Sequence, residues 1–467
     1  MSDLKSIREV NLDPTILREY DIRGTVPETF NDDVIHAIAR GFGTMAVREG
    51  CRSVAIGYDG RLSSPGLEEA AVRGLRACGL KVHRIGLGPT PMLYFATYHL
   101  PADAGLMITG SHNPMQYNGA KMVIGGRPFW GDDIRALGKL IAAGDFEDGA
   151  GEESINPIME IYLNRILEDF AYDKVLKVAW DSGNGVTGDA VRDLTAKLPG
   201  EHVLLNVDID GTFPNHHPDP TVEKNLEQLK QAVREQGCDL GFAFDGDGDR
   251  LGLIDAEGRV LCGDQILIIL AREVLADIPG ATIITDVKAS QVFFDEVARM
   301  GGKPMMWQTG HSNIKSKMRE LGAPLAGEMS AHIFFGHKYY GYDDAIYAAV
   351  RLLGIVSRSN RTLGQMLDDL PKMVTTPEAR FPCPEERKFV VIDEVRERLK
   401  NVEDAEVHAI DGVRVQTRDG WWLLRASNTE PVLSARCEAA DEAGLARVKA
   451  AFAEQVRASG LEPPDFS

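Results

Sequence analysis

Three aspartates at every second position, Asp245, Asp247 and Asp249, are spaced by glycines in Leu-Gly-Phe-Ala-Phe-Asp-Gly-Asp-Gly-Asp-Arg, residues 240–250. Alternate residues of an extended segment point the same way, and glycines let the backbone curl around one cation, so the three carboxylates read as hard oxygen ligands. An EF-hand is excluded, because its sixth and twelfth positions require Gly and Glu and are here Arg250 and Ala256. Three carboxylates leave coordination positions open on Mg²⁺, and phosphoryl-transfer sites fill one of them with a phosphate oxygen. A carrier for that phosphate is Ser111, in Thr-Gly-Ser-His-Asn-Pro at 109–114. The apolar Leu106, Met107 and Ile108 precede it and Gly110 and Pro114 punctuate it, so Ser111 is expected on a loop leaving a buried strand, exposed and held. An esterase elbow would need Gly where Asn113 stands, and His112 adjoins the serine too closely for a triad.

Other stretches suit a sugar-phosphate cleft. Arg425-Ala-Ser-Asn-Thr-Glu-Pro offers a guanidinium fork, the hydroxyls of Ser427 and Thr429, the Asn428 amide and turn N–H groups, a set that fits a phosphate dianion. Gly327-Glu-Met-Ser-Ala-His is expected to place Glu328 and Ser330 on one side of an extended segment, within reach of two neighbouring sugar hydroxyls. Tyr20 and Arg23 precede a glycine turn, and Lys121, Lys288 and His311 follow strand ends, supplying positive charge in an acidic chain. Asn215-His-His-Pro-Asp-Pro reads as structural, because the adjacent His216 and His217 side chains diverge in a strand.

The elements that must position these groups repeat. Residues 54–61, 178–185 and 283–290 are each a short apolar run that stops at an aspartate and opens into a polar loop. A helical segment and a second strand follow in each case, and a third strand then delivers Ser111, Asp245–Arg250 or Glu328–His332. Alternating strands and helices predict parallel βαβ units with ligands at the carboxyl ends of the strands. From about residue 372 the pattern changes to short strands and turns, with a hairpin at Asp419-Gly420 and a closing helix from about Asp441 to Val456. The fold class is therefore α/β: three related α/β domains with mixed, largely parallel sheets and a smaller C-terminal α+β domain around a central cleft. The expected divisions are 1–156, 157–259, 260–371 and 372–467, with Pro371 to Arg387 as a linker.

A formal charge of −19 over 467 residues argues against nucleic-acid or anionic-membrane surfaces, so an anionic ligand must meet a local basic pocket. The N-terminus lacks the apolar core of a signal peptide and no apolar run is long enough to span a bilayer, which predicts a cytoplasmic protein without membrane or nucleic-acid partners. Six cysteines without paired spacing read as free thiols.

Taken in order, the Ser111, Asp245–Arg250, Glu328–His332 and Arg425–Pro431 loops resemble the four signature loops of the α-D-phosphohexomutases, closest to the bacterial phosphomannomutase/phosphoglucomutase branch. The resemblance also covers Arg18-Glu-Tyr-Asp-Ile-Arg-Gly and Phe213-Pro-Asn-His-His-Pro-Asp-Pro, and so essentially the whole chain. It implies four domains around a deep cleft with a mobile fourth, a phosphoserine at Ser111, and Mg²⁺ held by Asp245, Asp247 and Asp249 beside Ser111. It further implies Glu328 and Ser330 as sugar ligands, and Arg425, Ser427, Asn428 and Thr429 as a phosphate grip. Tyr20, Arg23, Lys121, Arg250, Lys288, His311 and His332 match positions that line the cleft. The implied protein is a monomeric isomerase of carbohydrate metabolism, activated by glucose 1,6-bisphosphate and making nucleotide-sugar precursors from phosphosugars. Ala331 stands where that branch usually has Gly, so a small shift of the sugar loop is expected. A phosphoglucosamine mutase and a Mg²⁺-dependent sugar phosphatase are the alternatives, and Met329 favours mannose and glucose substrates over glucosamine.

Overall fold

The structure is a computed structural model that describes residues 12–400, 402, 404–427 and 430–466. Its first three units share one topology. In each, the first strand lies centrally between two parallel neighbours, and the third strand also takes an antiparallel partner that immediately follows it in the chain. In the first unit, Ser53–Tyr58 lies between Lys81–Leu87 and Ala104–Ile108, and Tyr117–Ile124 runs antiparallel to the latter. The second unit repeats this with Lys177–Asp181 between Glu201–Leu205 and Leu240–Phe244, and Leu251–Asp255 antiparallel. The third does so with Thr282–Asp286 between Lys303–Trp307 and Leu325–Gly327, and Ile333–Phe335 antiparallel.

This repeat decides where the chemistry goes. The connection from third strand to antiparallel partner carries Ser111 in the first unit, Asp245–Arg250 in the second and Glu328–His332 in the third. The aspartate at or just after the end of each first strand braces the loops beside it. Asp59 accepts from Gly110 N at 3.0 Å and Thr109 Oγ1 at 2.9 Å, Asp181 from Gly183 N at 2.9 Å, and Asp286 from Lys288 N at 2.8 Å and Met329 N at 3.2 Å.

One apolar core runs through all three units, joining Phe95 and Met107 to Trp180 and Phe244 and on to Ile266, Leu270 and Tyr347. The fourth unit is an antiparallel sheet around Gly420–Ala426 and Val432–Ala439 with its own core, closed by the helix Glu442–Ala458 that Asp441 caps. Its hairpin forms, Val413–Thr417 pairing with Gly420–Ala426, but the turn is Arg418-Asp419, one residue earlier than expected, and Gly420 is already paired with Thr417. The segment expected as a linker is instead part of this sheet: Val374–Thr375 and Ala379–Pro382 both pair with Val432–Ala439, since edge strands tolerate the prolines that suggested a linker. A small patch of Val287, Trp421 and Leu423 joins the fourth unit to the third. All six cysteines are free, and no helix among the described residues is long and apolar enough to cross a membrane.

Asp344 caps the buried helix Ala345–Arg358, accepting from Tyr347 N at 2.9 Å and from the hydroxyls of Tyr162 at 3.0 Å and Tyr339 at 2.9 Å. Burial pushes its carboxyl up to about 7 despite these hydrogen bonds. In the unfolded chain the same group titrates near about 4. Between those values the native state holds the proton more tightly, so this group's contribution to stability is full below the lower value and falls as pH rises. Asp344→Asn, which cannot titrate, is expected to flatten that fall by about 3 kcal/mol between about pH 5 and about pH 8, read by melting both proteins at those two values. Parallel melting shifts in the two proteins would mean that Asp344 stays ionised.

Candidate active site

Ser111 sits in the left-handed region, with φ of 49°, a conformation that side chains other than Gly seldom adopt and that persists only when the surroundings impose it. Arg61 imposes it: its buried guanidinium donates to the carbonyls of Ser111 at 2.7 Å, Asn113 at 2.6 Å, Pro114 at 2.7 Å and Tyr117 at 3.0 Å, and pairs with Asp59. The serine is held as expected. It is not exposed, however, with only 3% of its surface accessible, because the second unit's loop closes over it. Ser111 Oγ lies 3.1 Å from Asp245 Oδ2 and 3.2 Å from His112 Nδ1.

The three aspartates converge through a tight turn rather than through strand alternation. Asp245 Oδ1 accepts from the backbone N–H of Gly248, Asp249 and Arg250, at 3.0, 3.0 and 3.1 Å, which wraps the loop around its own first carboxylate. The loop is anchored on every side, with Thr90 N on Asp247 O, Val186 N on Gly246 O and Leu251 N on Ala331 O. Lys121 donates to Asp247 Oδ2 at 2.8 Å and also to Asp249 Oδ2.

The cluster fits a divalent cation. The ligand atoms of Asp245, Asp247 and Asp249 lie within 4.8 Å of one another, and Asp247 Oδ1 and Asp249 Oδ1 are buried without a hydrogen-bond partner among the described residues. Three carboxylates face the Lys121 ammonium and the nearby Arg250 guanidinium, so negative charge remains in excess in a buried site, which a hard divalent ion would neutralise. Burial and the neighbouring Asp249 and Asp247 drive the Asp245 carboxyl up, and Lys121 overcomes burial to hold Asp247 down. Asp249, His332 and Asp343 also meet at ligand spacing. There Arg250 Nε donates to His332 Nε2 at 3.1 Å, which leaves the ring proton on Nδ1, 3.1 Å from Asp343 Oδ2. A protonated nitrogen is no ligand, so His332 is oriented by Arg250, with Asp343 close by, and the aspartate trio is the better cation site.

Beside this cluster a cavity of about 230 Å³ gathers side chains from all four units. Tyr20, Arg23 and His112 come from the first, Arg250 from the second, Lys288, His311, Glu328, Ser330 and His332 from the third, and Arg425 and Ser427 from the fourth. Arg18, Glu378, Asp21 and Arg380 also line it, so its cations outnumber its carboxylates within a chain of charge −19. The cavity is thus the local basic pocket that an anionic ligand requires. Every site residue named from the sequence lies in this cleft or in the adjoining Ser111–aspartate cluster, apart from Asn428 and Thr429, which lie outside the described residues.

The third unit's loop is a turn and not the extended segment expected, with Ala331 N donating to Glu328 O at 2.9 Å. Ala331 takes φ of 70°, so the chain follows a path suited to Gly while carrying a Cβ. Glu328 accepts from Gly310 N at 2.6 Å, and burial raises its carboxyl although His332 opposes the shift. His311 is driven well below the usual imidazole range by burial and then by Lys315, so it faces the cleft as a neutral ring. His216 serves the structural role expected, with Nε2 3.0 Å from Asp181 Oδ2.

Sequence reasoning did not single out Arg61, Thr90, Asp343, Glu378 or Asp411. Arg61 was signalled by Asp59-Gly-Arg at the end of the first repeat strand, whereas Thr90, Asp343, Glu378 and Asp411 carry no local signature. Asp411 Oδ2 takes Arg425 Nε at 3.1 Å and Thr309 N at 3.1 Å, linking the fourth unit to the third, and Glu378 Oε2 accepts from Lys288 Nζ at 3.3 Å.

Four domain-family descriptions match in order. Phosphoglucomutase/phosphomannomutase α/β/α domains I, II and III match at 14–148, 160–258 and 262–374, and the C-terminal domain of the same family matches at 378–455. The chain is 41% identical over 455 residues to a phosphomannomutase/phosphoglucomutase of Pseudomonas aeruginosa, covering 97% of this chain and 98% of that one. It is likewise 41% identical to a phosphoglucomutase of Neisseria meningitidis over 95% of this chain and 96% of that one. A crystal structure of a phosphoglucomutase/phosphomannomutase family protein from Burkholderia thailandensis superposes with a TM-score of 0.93 at 41% identity, covering 98% of this chain and all of that one. A threefold repeat with its serine, aspartate and glutamate loops in corresponding places, followed by a fourth unit of its own architecture and matched along its full length, makes this chain a member of the phosphoglucomutase/phosphomannomutase family, the α-D-phosphohexomutases, which are isomerases.

Proposed function

We propose that the chain interconverts hexose 1-phosphates and hexose 6-phosphates, with mannose and glucose as the sugars and Ser111 as the phosphate carrier. The observation that carries this reading is the 3.1 Å approach of Ser111 Oγ to Asp245 at the edge of a cation-lined cleft. A sugar hydroxyl attacks the phosphorus of phospho-Ser111, the bond from phosphorus to Oγ breaks, and a hexose 1,6-bisphosphate forms. The bisphosphate then turns over and returns its other phosphate to Oγ. Mg²⁺ held by Asp245, Asp247 and Asp249 would supply charge neutralisation at the transferring group.

The chain's own residues do the rest. Arg61 and Asp59 keep Ser111 aimed, and Arg250, Arg23 and Lys288 bring positive charge toward the phosphates. His311, neutral in its buried setting, suits the proton acceptor for the attacking hydroxyl. Lys121, kept protonated by Asp247 and Asp249 against its burial, holds a positive charge in the aspartate cluster, and it and His311 are the candidates for the acid that returns a proton to Ser111 Oγ. Glu328 and Ser330 face the sugar, and Arg425 with Ser427 grips whichever phosphate is not reacting. Closure of the fourth unit over the cleft would exclude water, which is what separates a mutase from a phosphatase.

Turnover of mannose 1-phosphate, glucose 1-phosphate and glucosamine 1-phosphate, with glucose 1,6-bisphosphate as activator, tests the assignment. The first two are expected to react faster than the third. Preference for the glucosamine phosphate would shift the reading to a phosphoglucosamine mutase, and steady release of inorganic phosphate would shift it to a phosphatase. Arg425→Ala is expected to lower kcat/KM by about 10- to 100-fold, the worth of a charge-assisted phosphate contact. Because that contact is made before and during the reaction, the loss should fall mainly on KM.

The proposed division of the chain keeps the boundaries after 156 and 371. It moves the middle one from 259 to just after Leu261, because Val260–Leu261 pairs with Leu253 and Ile254 of the second sheet.

A further inference from the structure

A second cavity, of about 660 Å³, lies where the first and third units meet and shares no lining residue with the reaction cleft. Its volume is in the range of sites that enclose a small organic molecule. No Asp or Glu is among its described lining residues, in a chain of charge −19. Lys315, Arg319 and Lys338 supply cations there. Lys315 is answered by Asp343 at 2.9 Å and Lys338 by Asp277 at 2.9 Å. Arg319 has no carboxylate within ion-pair distance among the described residues, and reaches across to the first unit to donate to Gly125 O at 3.2 Å.

The cavity is also aromatic. Tyr98 and Tyr340 stack at 4.6 Å, Tyr340 and Tyr342 lie nearly parallel at 6.0 Å, and Tyr94 meets Tyr342 at 5.5 Å. Tyr98 remains 49% exposed, a large ring kept at the cavity wall beside an arginine that lacks an acidic partner. The phosphoryl-transfer chemistry uses neither residue.

We propose that this cavity is a binding site for a planar aromatic ring that carries an anionic group, the chemistry of a nucleoside monophosphate. The ring packs against the Tyr98–Tyr340 pair and the anion pairs with Arg319. The site lies a short path from the reaction cleft, because Lys315 in the cavity pairs with Asp343, whose other oxygen lies 3.1 Å from His332 Nδ1. It does not depend on the substrate assigned to that cleft.

Titration calorimetry of the full chain with adenosine 5′-monophosphate, and separately with 4-hydroxybenzoate, tests the proposal, each with and without saturating glucose 1,6-bisphosphate. Saturable binding of the nucleotide is expected whether or not the bisphosphate is present. Arg319→Glu should weaken it by about tenfold or more through loss of a charge-assisted contact. Tyr98→Ala, at a half-exposed position, should weaken it independently, and both variants should keep the wild-type turnover. Binding of the nucleotide alone identifies a nucleotide site, and binding of both probes identifies a site for ring-bearing anions in general. Absence of saturable binding by either probe up to about 5 mM, displacement by the bisphosphate, or unchanged affinity in both variants would overturn the proposal.

Discussion

Ser111→Ala is expected to reduce mutase turnover by at least about 10³-fold, in keeping with removal of a covalent carrier, while leaving the melting temperature near that of the parent. The substitution deletes a single hydroxyl. What holds the backbone there is untouched, since Arg61 binds the carbonyl of residue 111 and Thr109 Oγ1 accepts its N–H at 2.8 Å. The left-handed conformation at 111 strains alanine about as much as serine, so the fold has no reason to relax. What is lost is the oxygen that lies 3.1 Å from Asp245, the only hydroxyl so placed among the described residues. The assay is conversion of glucose 1-phosphate to glucose 6-phosphate with the bisphosphate activator absent and then present. Undiminished turnover without activator would remove the phosphoserine from the mechanism.

Asp247→Ala is expected to cost about 10²-fold or more in turnover, a loss that excess Mg²⁺ should not restore. The residue does two jobs. Its Oδ2 collects Thr90 Oγ1 at 2.5 Å, Thr109 Oγ1 at 3.1 Å and Lys121 Nζ at 2.8 Å, while its Oδ1 has no partner among the described residues and is free for a cation. Truncation therefore also leaves the buried Lys121 with less negative charge, and lower stability is expected alongside lower activity. Asp247→Asn separates the two effects, because it keeps an oxygen for the threonines and the volume of the side chain but removes the charge. It should melt closer to the parent than the alanine variant and still lose turnover. Near-normal activity of Asp247→Asn at saturating Mg²⁺ would show that this carboxylate does not hold the ion.

The candidate site was legible to different depths in different loops. Asp245, Asp247 and Asp249 announce themselves because three carboxylates between glycines have few uses other than a cation. The reason first given for their convergence, alternation along a strand, is not the one the structure uses: the loop turns on its own backbone, with three N–H groups directed at Asp245. Glu328 and Ser330 were found through the same argument and sit likewise in a turn. The segment at 371–387 misled in the opposite direction. Its prolines and charges suit a linker, yet they also suit an edge strand, and only the neighbour Val432–Ala439 decides between these.

Read alone, the chain declares the threefold strand–helix repeat, the change of pattern near residue 372, a serine held on a loop and three carboxylates spaced to share a cation, and the need for a basic pocket in an acidic protein. These are local or additive properties: periodicity, spacing and net charge survive without knowing which residues touch. Burial of Ser111 under the second unit's loop, the lock of Arg61 on that serine, the tautomer of His332 set by Arg250, and the tyrosine-lined cavity between the first and third units depend on segments separated by fifty to more than two hundred residues. Such contacts carry no mark in the sequence, because each partner alone is an ordinary polar or aromatic residue and gains its role only when folding brings the other within about 3 Å.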